Sequence, residues 1–444
     1  MKLLPAANRR ATIIALGLPI IGGMASQNVL NIVDTAMVGT LGDAALAATG
    51  IGGFANFMAI SFIMGLSAGV QAIAARRLGE GRHDILAVAL NAGLILAVIW
   101  AIPWTALLLN WAPELFELLL DDKAVVAEAV PYFRVRCLAA LGVGINFAFR
   151  GYWNGINLPK LYMSTLIVAH ITNLFLNWVL IFGNLGAPAM GTVGAAIAST
   201  TATYVASVTY IGLGIRMAIK NGFLRTRPTT DIFRSLLRLA LPASIAQFFM
   251  ASGYTALMWI VGQTGTAEMA AANVLLTITL VAILPGLAMG FVAASLVGQA
   301  LGRGDPDDAE AWGWDVVRVG CIGLGILGLP MILIPDLLLS GFIHEETTRA
   351  LAVAPLRLVG ATIGIDAIGL VLLNAMYGAG NSRPVMVTGI VMQWCVGLPL
   401  AYVFGPILDL GLLWIWGAMM LYRGGQSVIF FRMWKQRKWA QIEV

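Results

Sequence analysis

The chain says nearly the same thing twice. Leu16-Gly17-Leu18-Pro19 returns as Leu239-Ala240-Leu241-Pro242, and Val38-Gly39 as Val261-Gly262. Gly65-Leu66-Ser67-Ala68-Gly69 answers to Gly286-Leu287-Ala288-Met289-Gly290, and Leu78-Gly79-Glu80-Gly81 to Leu301-Gly302-Arg303-Gly304. Gly155 and Pro159 find counterparts in Gly380 and Pro384, and the offset stays between 221 and 225 residues in a chain of 444. A unit of six helices, duplicated head to tail, is the simplest source of that pattern. In an apolar chain it points to a transporter with its pathway between two halves.

The chain is apolar enough: hydrophobic residues make up 59% and charged ones 11%, against roughly 25% charge in soluble domains. Runs long enough to cross a ~30 Å hydrocarbon core are expected as twelve spans, near 12–37, 44–75, 85–109, 126–150, 161–183, 191–219, 235–262, 267–300, 313–340, 350–377, 384–407 and 411–431. This is an all-α integral membrane protein of twelve transmembrane helices in two parallel six-helix repeats. The N-lobe covers 1–219 (spans 1–6), a polar cytoplasmic linker 220–234, the C-lobe 235–431 (spans 7–12), and a basic cytoplasmic tail 432–444. Spans 2 and 8 exceed what a bilayer demands, at equivalent repeat positions, and should tilt or protrude in both halves.

Charge gives the orientation. Lys2, Arg9, Arg10, Arg76, Arg77, Arg82, Lys160, Lys220, Arg225, Arg227 and Arg234 flank one side, with Arg303, Arg383, Arg432, Lys435, Arg437 and Lys438. The opposite loops hold Lys123 and Arg349 among Glu114, Glu117, Asp121, Asp122, Glu345 and Glu346. The positive-inside bias then places both termini in the cytoplasm. A net charge of +5 scattered over short loops reflects topology and argues against a nucleic-acid partner. Span 1 is too long for a signal h-region and lacks a small-residue cleavage site, so it is expected to stay. Cys137, Cys321 and Cys395 stand alone, as do His83, His170 and His344, so neither a disulfide framework nor a metal site is expected.

An ionisable group inside a bilayer costs roughly 2.5–3.5 kcal/mol on insertion scales. Asp34 lies in the outer third of span 1, and Asp366 about fifteen residues into span 10, ~22 Å along the helix. In the repeat register Asp34 faces Leu257 and Asp366 faces Gly142. The scaffold is duplicated and these acids are not, which favours a task specific to each. Asn173 and Asn177, four apart, share a face of span 5, and Thr200 and Thr201 of span 6 can add hydroxyls to the same spot. The bland alternative is a structural acid and interhelical amide glue. His170 has no partner evident in the sequence and reads as a packed neutral histidine. Arg134 and Arg136 should snorkel to the outer interface, Asp315 and Arg318 should pair, and Arg150 and Arg423 read as helix-end anchors.

Val33-Asp34-Thr35-Ala36-Met37-Val38-Gly39, Asn173-Leu174-Phe175-Leu176-Asn177, Gly191-Thr192-Val193-Gly194-Ala195-Ala196-Ile197-Ala198 and Asp366-Ala367-Ile368, in this order on a duplicated twelve-span scaffold, make the chain resemble the multidrug and toxic compound extrusion (MATE) family, a bacterial member with mixed DinF-like and NorM-like features. The resemblance spans essentially the whole chain. It implies two lobes around a central V-shaped cavity and cation-driven export of amphipathic, often cationic drugs across the inner membrane. It implies that Asp34 is the cation-coupling acid, with Asn173, Asn177 and a span 6 threonine lining the site. Asp366 is similar to an acid that NorM-type members use in the C-lobe. The chain departs from them at span 7, where Met250 stands in place of a glutamate and Gln247 is the nearest polar residue.

The reading is a proton-coupled antiporter working by alternating access, without a cofactor, as a monomer whose partners are small amphipathic molecules and the lipid bilayer. Sodium coupling and a lipid or lipid-linked oligosaccharide flippase are the alternatives. An enzyme is not expected: no catalytic carboxylate pair, zinc helix or serine–histidine arrangement is recognisable. A phosphate-binding loop and a selectivity filter are missing too.

Overall fold

The computed structural model describes residues 4–120 and 122–442; Lys2 and Asp121 of the charge pattern lie outside the described residues. All regular structure among the described residues is helical, and nine helices are long and apolar enough to cross a membrane. With the shorter or broken ones they make up twelve spans in two six-helix repeats. The two long spans, Asp43–Gly79 and Thr266–Gly302, have 37 residues each, ~55 Å of helix and well beyond a bilayer core.

Local sequence sets the ends. Span 5, Pro159–Phe182, begins on a proline, whose missing N–H costs nothing at a first turn, and stops at Gly183 with φ of 77°. Asp122 and Asp305 cap the helices that follow them, accepting from the backbone N–H of Ala124 and Asp308.

Contacts between Cα atoms divide the chain into two units. One comprises Gly22–Leu78 and Arg82–Ser244, the other Met1–Ile21, Gly79–Gly81 and Ile245–Val444. Span 1 (Ala7–Gly39) and span 7 (Thr230–Gly262) each contribute to both, changing unit two residues after Pro19 and Pro242. Within each unit two helices approach closely at a glycine. A Cβ on Gly155 would sit 2.9 Å from the carbonyl oxygen of Gln71, and one on Gly378 would collide with that of Ala294. Small residues let membrane helices approach to this distance.

Three spans expected to be continuous are not: span 9 divides at Ile334 into Pro306–Leu333 and Pro335–Ser340, and spans 4 and 11 also depart from one regular helix. Span 4 is split into Lys123–Cys137 and Ala140–Gly155. The turn tightens to i→i+3 bonds at Leu138 and Ala139, and carbonyls along it also accept from neighbouring hydroxyls. Thr200 donates to Val135 O, Thr105 to Cys137 O and Tyr204 to Leu138 O. No proline or glycine marks the break. Span 11 starts as Ser382–Val391 and widens into π-helical turns at Met392–Gly397 and Val403–Ile407. There Gln393 and Trp394 reach span 7, donating to the carbonyls of Met250 and Phe249.

Candidate functional site

In the unit that holds Gly22–Leu78 and Arg82–Ser244, spans 1, 5 and 6 meet along a polar seam. Gln27, Asn31 and Asp34 recur at helical spacing on span 1, and His170, Asn173 and Asn177 on span 5. His170 Nε2 lies 3.1 Å from Gln27 Oε1, and Gln27 Nε2 donates to Asn31 Oδ1 at 3.1 Å. His170 therefore does have a partner, one that sequence spacing within a single helix could not reveal.

Asp34 is half-buried and accepts a hydrogen bond of 2.6 Å from Asn177 Nδ2. Both asparagines are buried, at 2% and 1% exposure. The Asn173 amide fits in two orientations. In one, its nitrogen donates to Ser199 Oγ at 3.1 Å and its oxygen accepts from Asn177 Nδ2 at 3.1 Å. In the other, its nitrogen donates to Asp34 Oδ1 at 2.9 Å and its oxygen accepts from Ser199 N and Oγ at 3.2 and 3.1 Å. The second orientation points two amide N–H groups at one carboxylate oxygen, as suits an ionised acid. Asn177 Oδ1 is buried with no hydrogen-bond partner among the described residues. Leaving such an acceptor unmatched costs about 1–3 kcal/mol. The Arg136 guanidinium, beside the break in span 4, acts on Asp34 through its charge without bonding to it.

The span 6 residue in this cluster is Ser199. Thr200 turns its hydroxyl to span 4, and Thr201 is exposed. One residue on a helix is a rotation of 100°, so a run of three hydroxyl residues does not declare which one faces the acid. The sequence also gave no prominence to Glu128, which accepts from the buried Thr192 hydroxyl.

The other unit holds the second acid. Asp366 is 5% exposed, and its Oδ2 lies 3.0 Å from Nη2 of Arg423 on span 12 (Leu412–Lys435). Arg423 is thus no helix-end anchor. Its side chain is 12% exposed and reaches the buried acid on span 10. Met250 offers its carbonyl to Gln393, and Gln247 is half-buried on the same helix. Leu257, the repeat counterpart of Asp34, is buried in an apolar cluster with Leu275, Ile363 and Trp416. Asp315 and Arg318 pair at 2.8 Å as expected, and Arg9 joins them, bonding Asp308 and Asp315 and lying 3.7 Å over the Trp312 ring.

The MatE family model matches the chain twice, at residues 19–179 and 242–403. A probable multidrug resistance protein NorM of Mesorhizobium japonicum is 28% identical over 88% of this chain and 86% of its own length. One from Thermotoga maritima is 24% identical, with 98% and 94% covered. Among solved structures, an outward-facing multidrug resistance MATE family transporter superposes with a TM-score of 0.87 at 21% identity, covering 98% of this chain and 97% of that one. A MOP superfamily transporter from Pyrococcus furiosus gives 0.86 at 22%, with 97% and 96% covered. At such identities the structural likeness speaks for the fold.

Proposed function

The chain belongs to the MatE family of multidrug efflux transporters, and we propose that it exports amphipathic, often cationic compounds by proton-coupled antiport, with Asp34 as the coupling acid. The observation that carries this reading is the partner set of Asp34. Its hydrogen bonds come from neutral amides, and a buried acceptor, Asn177 Oδ1, stands unmatched beside it.

Such a site can serve both states of the acid. Ionised, Asp34 accepts from Asn177 Nδ2 and, with the amide turned, from Asn173 Nδ2. Protonated, it becomes a donor, and a turned Asn177 amide offers Oδ1 to receive that hydrogen. Each change re-pairs Asn173 with Ser199, so one proton rearranges bonds on spans 1, 5 and 6 together. In the proposed cycle, protonation from outside favours substrate release. Return to the inward-facing state, by alternating access, frees the proton into the cytoplasm. A potential of ~100 mV contributes about 2.3 kcal/mol for each charge moved, enough to redistribute two states of similar energy. The protein would work as a monomer in the bacterial inner membrane with both termini cytoplasmic, as the loop charges support.

Sodium is the second reading, because carboxylate, amide and hydroxyl oxygens suit a hard cation equally well. Efflux of a fluorescent cationic drug from proteoliposomes, with proton and sodium gradients imposed separately, decides. Export under a proton gradient alone is expected. A strict sodium requirement would replace the proton by the metal at the same oxygens. Drug that moves under neither gradient would sink the antiport reading.

A further inference from the structure

We propose that Arg423 is a tethered counter-cation: its guanidinium holds the place at Asp366 that an exchangeable cation would otherwise take, and so keeps the second unit out of ion coupling. The inference rests on the reading of Asp34 as the coupling acid and adds an ion-excluding residue to it.

The argument is one of charge balance in a poorly solvated place. Asp366 and Arg423 are both largely buried and joined at 3.0 Å. The other ionisable side chains that act on Arg423 are the phenols of Tyr254 and Tyr422, and no second carboxylate is among them. One carboxylate therefore faces one guanidinium. Arginine does not give up its proton in proteins, so the positive member of the pair is permanent. A proton or metal ion arriving at Asp366 would leave a surplus buried positive charge, which a membrane interior penalises. Gln247 and Met250, where the resemblance would look for a second acid, carry no charge, and the Gln393 amide is committed to the Met250 carbonyl and lies against the bare backbone of Gly253. Asp34, with only amide donors and a more distant Arg136, has no such lock.

The test reads cation binding directly, apart from transport. Purified protein would be assayed for radioactive sodium uptake and for the infrared band of a protonated carboxyl during acidification. In an Asp34→Asn background, the intact pair should bind no sodium. Its carboxyl band should match that of Asp34→Asn/Asp366→Asn throughout the titration. Adding Arg423→Gln should create a site, seen as sodium uptake or a new titrating band, and Asp366→Asn should then remove it. A titrating band or stoichiometric sodium in Asp34→Asn that Asp366→Asn abolishes would overturn the inference. So would a folded Asp34→Asn/Arg423→Gln protein that gains nothing. If Arg423→Gln does not yield folded protein, the first comparison decides alone. Uptake that survives loss of both acids would lie elsewhere in the chain, and the difference that Asp366→Asn makes to it still decides.

Discussion

Asp34 and Asp366 both sit within spans of this transporter, and their surroundings differ in kind. Asp34 is met by amides, whose dipoles can turn; Asp366 is met by a guanidinium, whose charge cannot be withdrawn. A neutral, turnable environment suits a group that changes charge during a cycle. A permanent ion pair suits a joint that must stay the same while something else moves. Burial alone does not separate these cases, since the more deeply buried acid is the locked one. The chemistry of the partner decides.

That contrast breaks first at Asp34. Asp34→Asn should abolish uphill drug efflux in proteoliposomes while leaving the yield of folded protein intact. Replacing both members of the other pair, as Asp366→Asn/Arg423→Gln, should keep most of it. Equal loss in the two would erase the distinction.

The next largest effect is on stability. Arg423→Gln alone strands a buried carboxylate and should cost about 3–5 kcal/mol, measured by thermal unfolding in detergent, whereas the double neutral variant should recover most of that. Below it, Asn177→Leu removes a charge-assisted bond worth about 1.5–3 kcal/mol, which predicts roughly a tenfold or greater fall in coupled efflux at ~1.4 kcal/mol per decade. Asn173→Leu should do less, because its link to Asp34 exists in only one of two orientations. The smallest effect sharpens the span 6 assignment. Ser199→Ala should shift the pH profile of efflux, and Thr200→Ala should leave that profile in place while lowering stability by about 0.5–1.5 kcal/mol.

The duplication, the twelve spans and the shared face of Asn173 and Asn177 were legible because each rests on a repeat or a spacing within one helix; that this face meets Asp34 was implied by the family resemblance, and Asn177 does donate to Asp34. The i,i+4 rule places two asparagines on one face whatever lies opposite. What stayed hidden depends on contacts between helices. Arg423 looked like an anchor near the end of span 12 because its target is on span 10, 57 residues away in sequence. Thr200 looked like a site residue because nothing announces the break in span 4 whose carbonyl it serves. His170 looked solitary because Gln27 is on another helix.

The division of spans 1 and 7 carries a consequence for how such a molecule can be made. The opening stretch of each proline-bearing helix is grouped with the unit built mainly from the opposite half of the chain. Two gene fragments, cut within the 220–234 linker, should each give an incomplete product that fails to accumulate alone, yet co-expression should restore an efflux-competent pair.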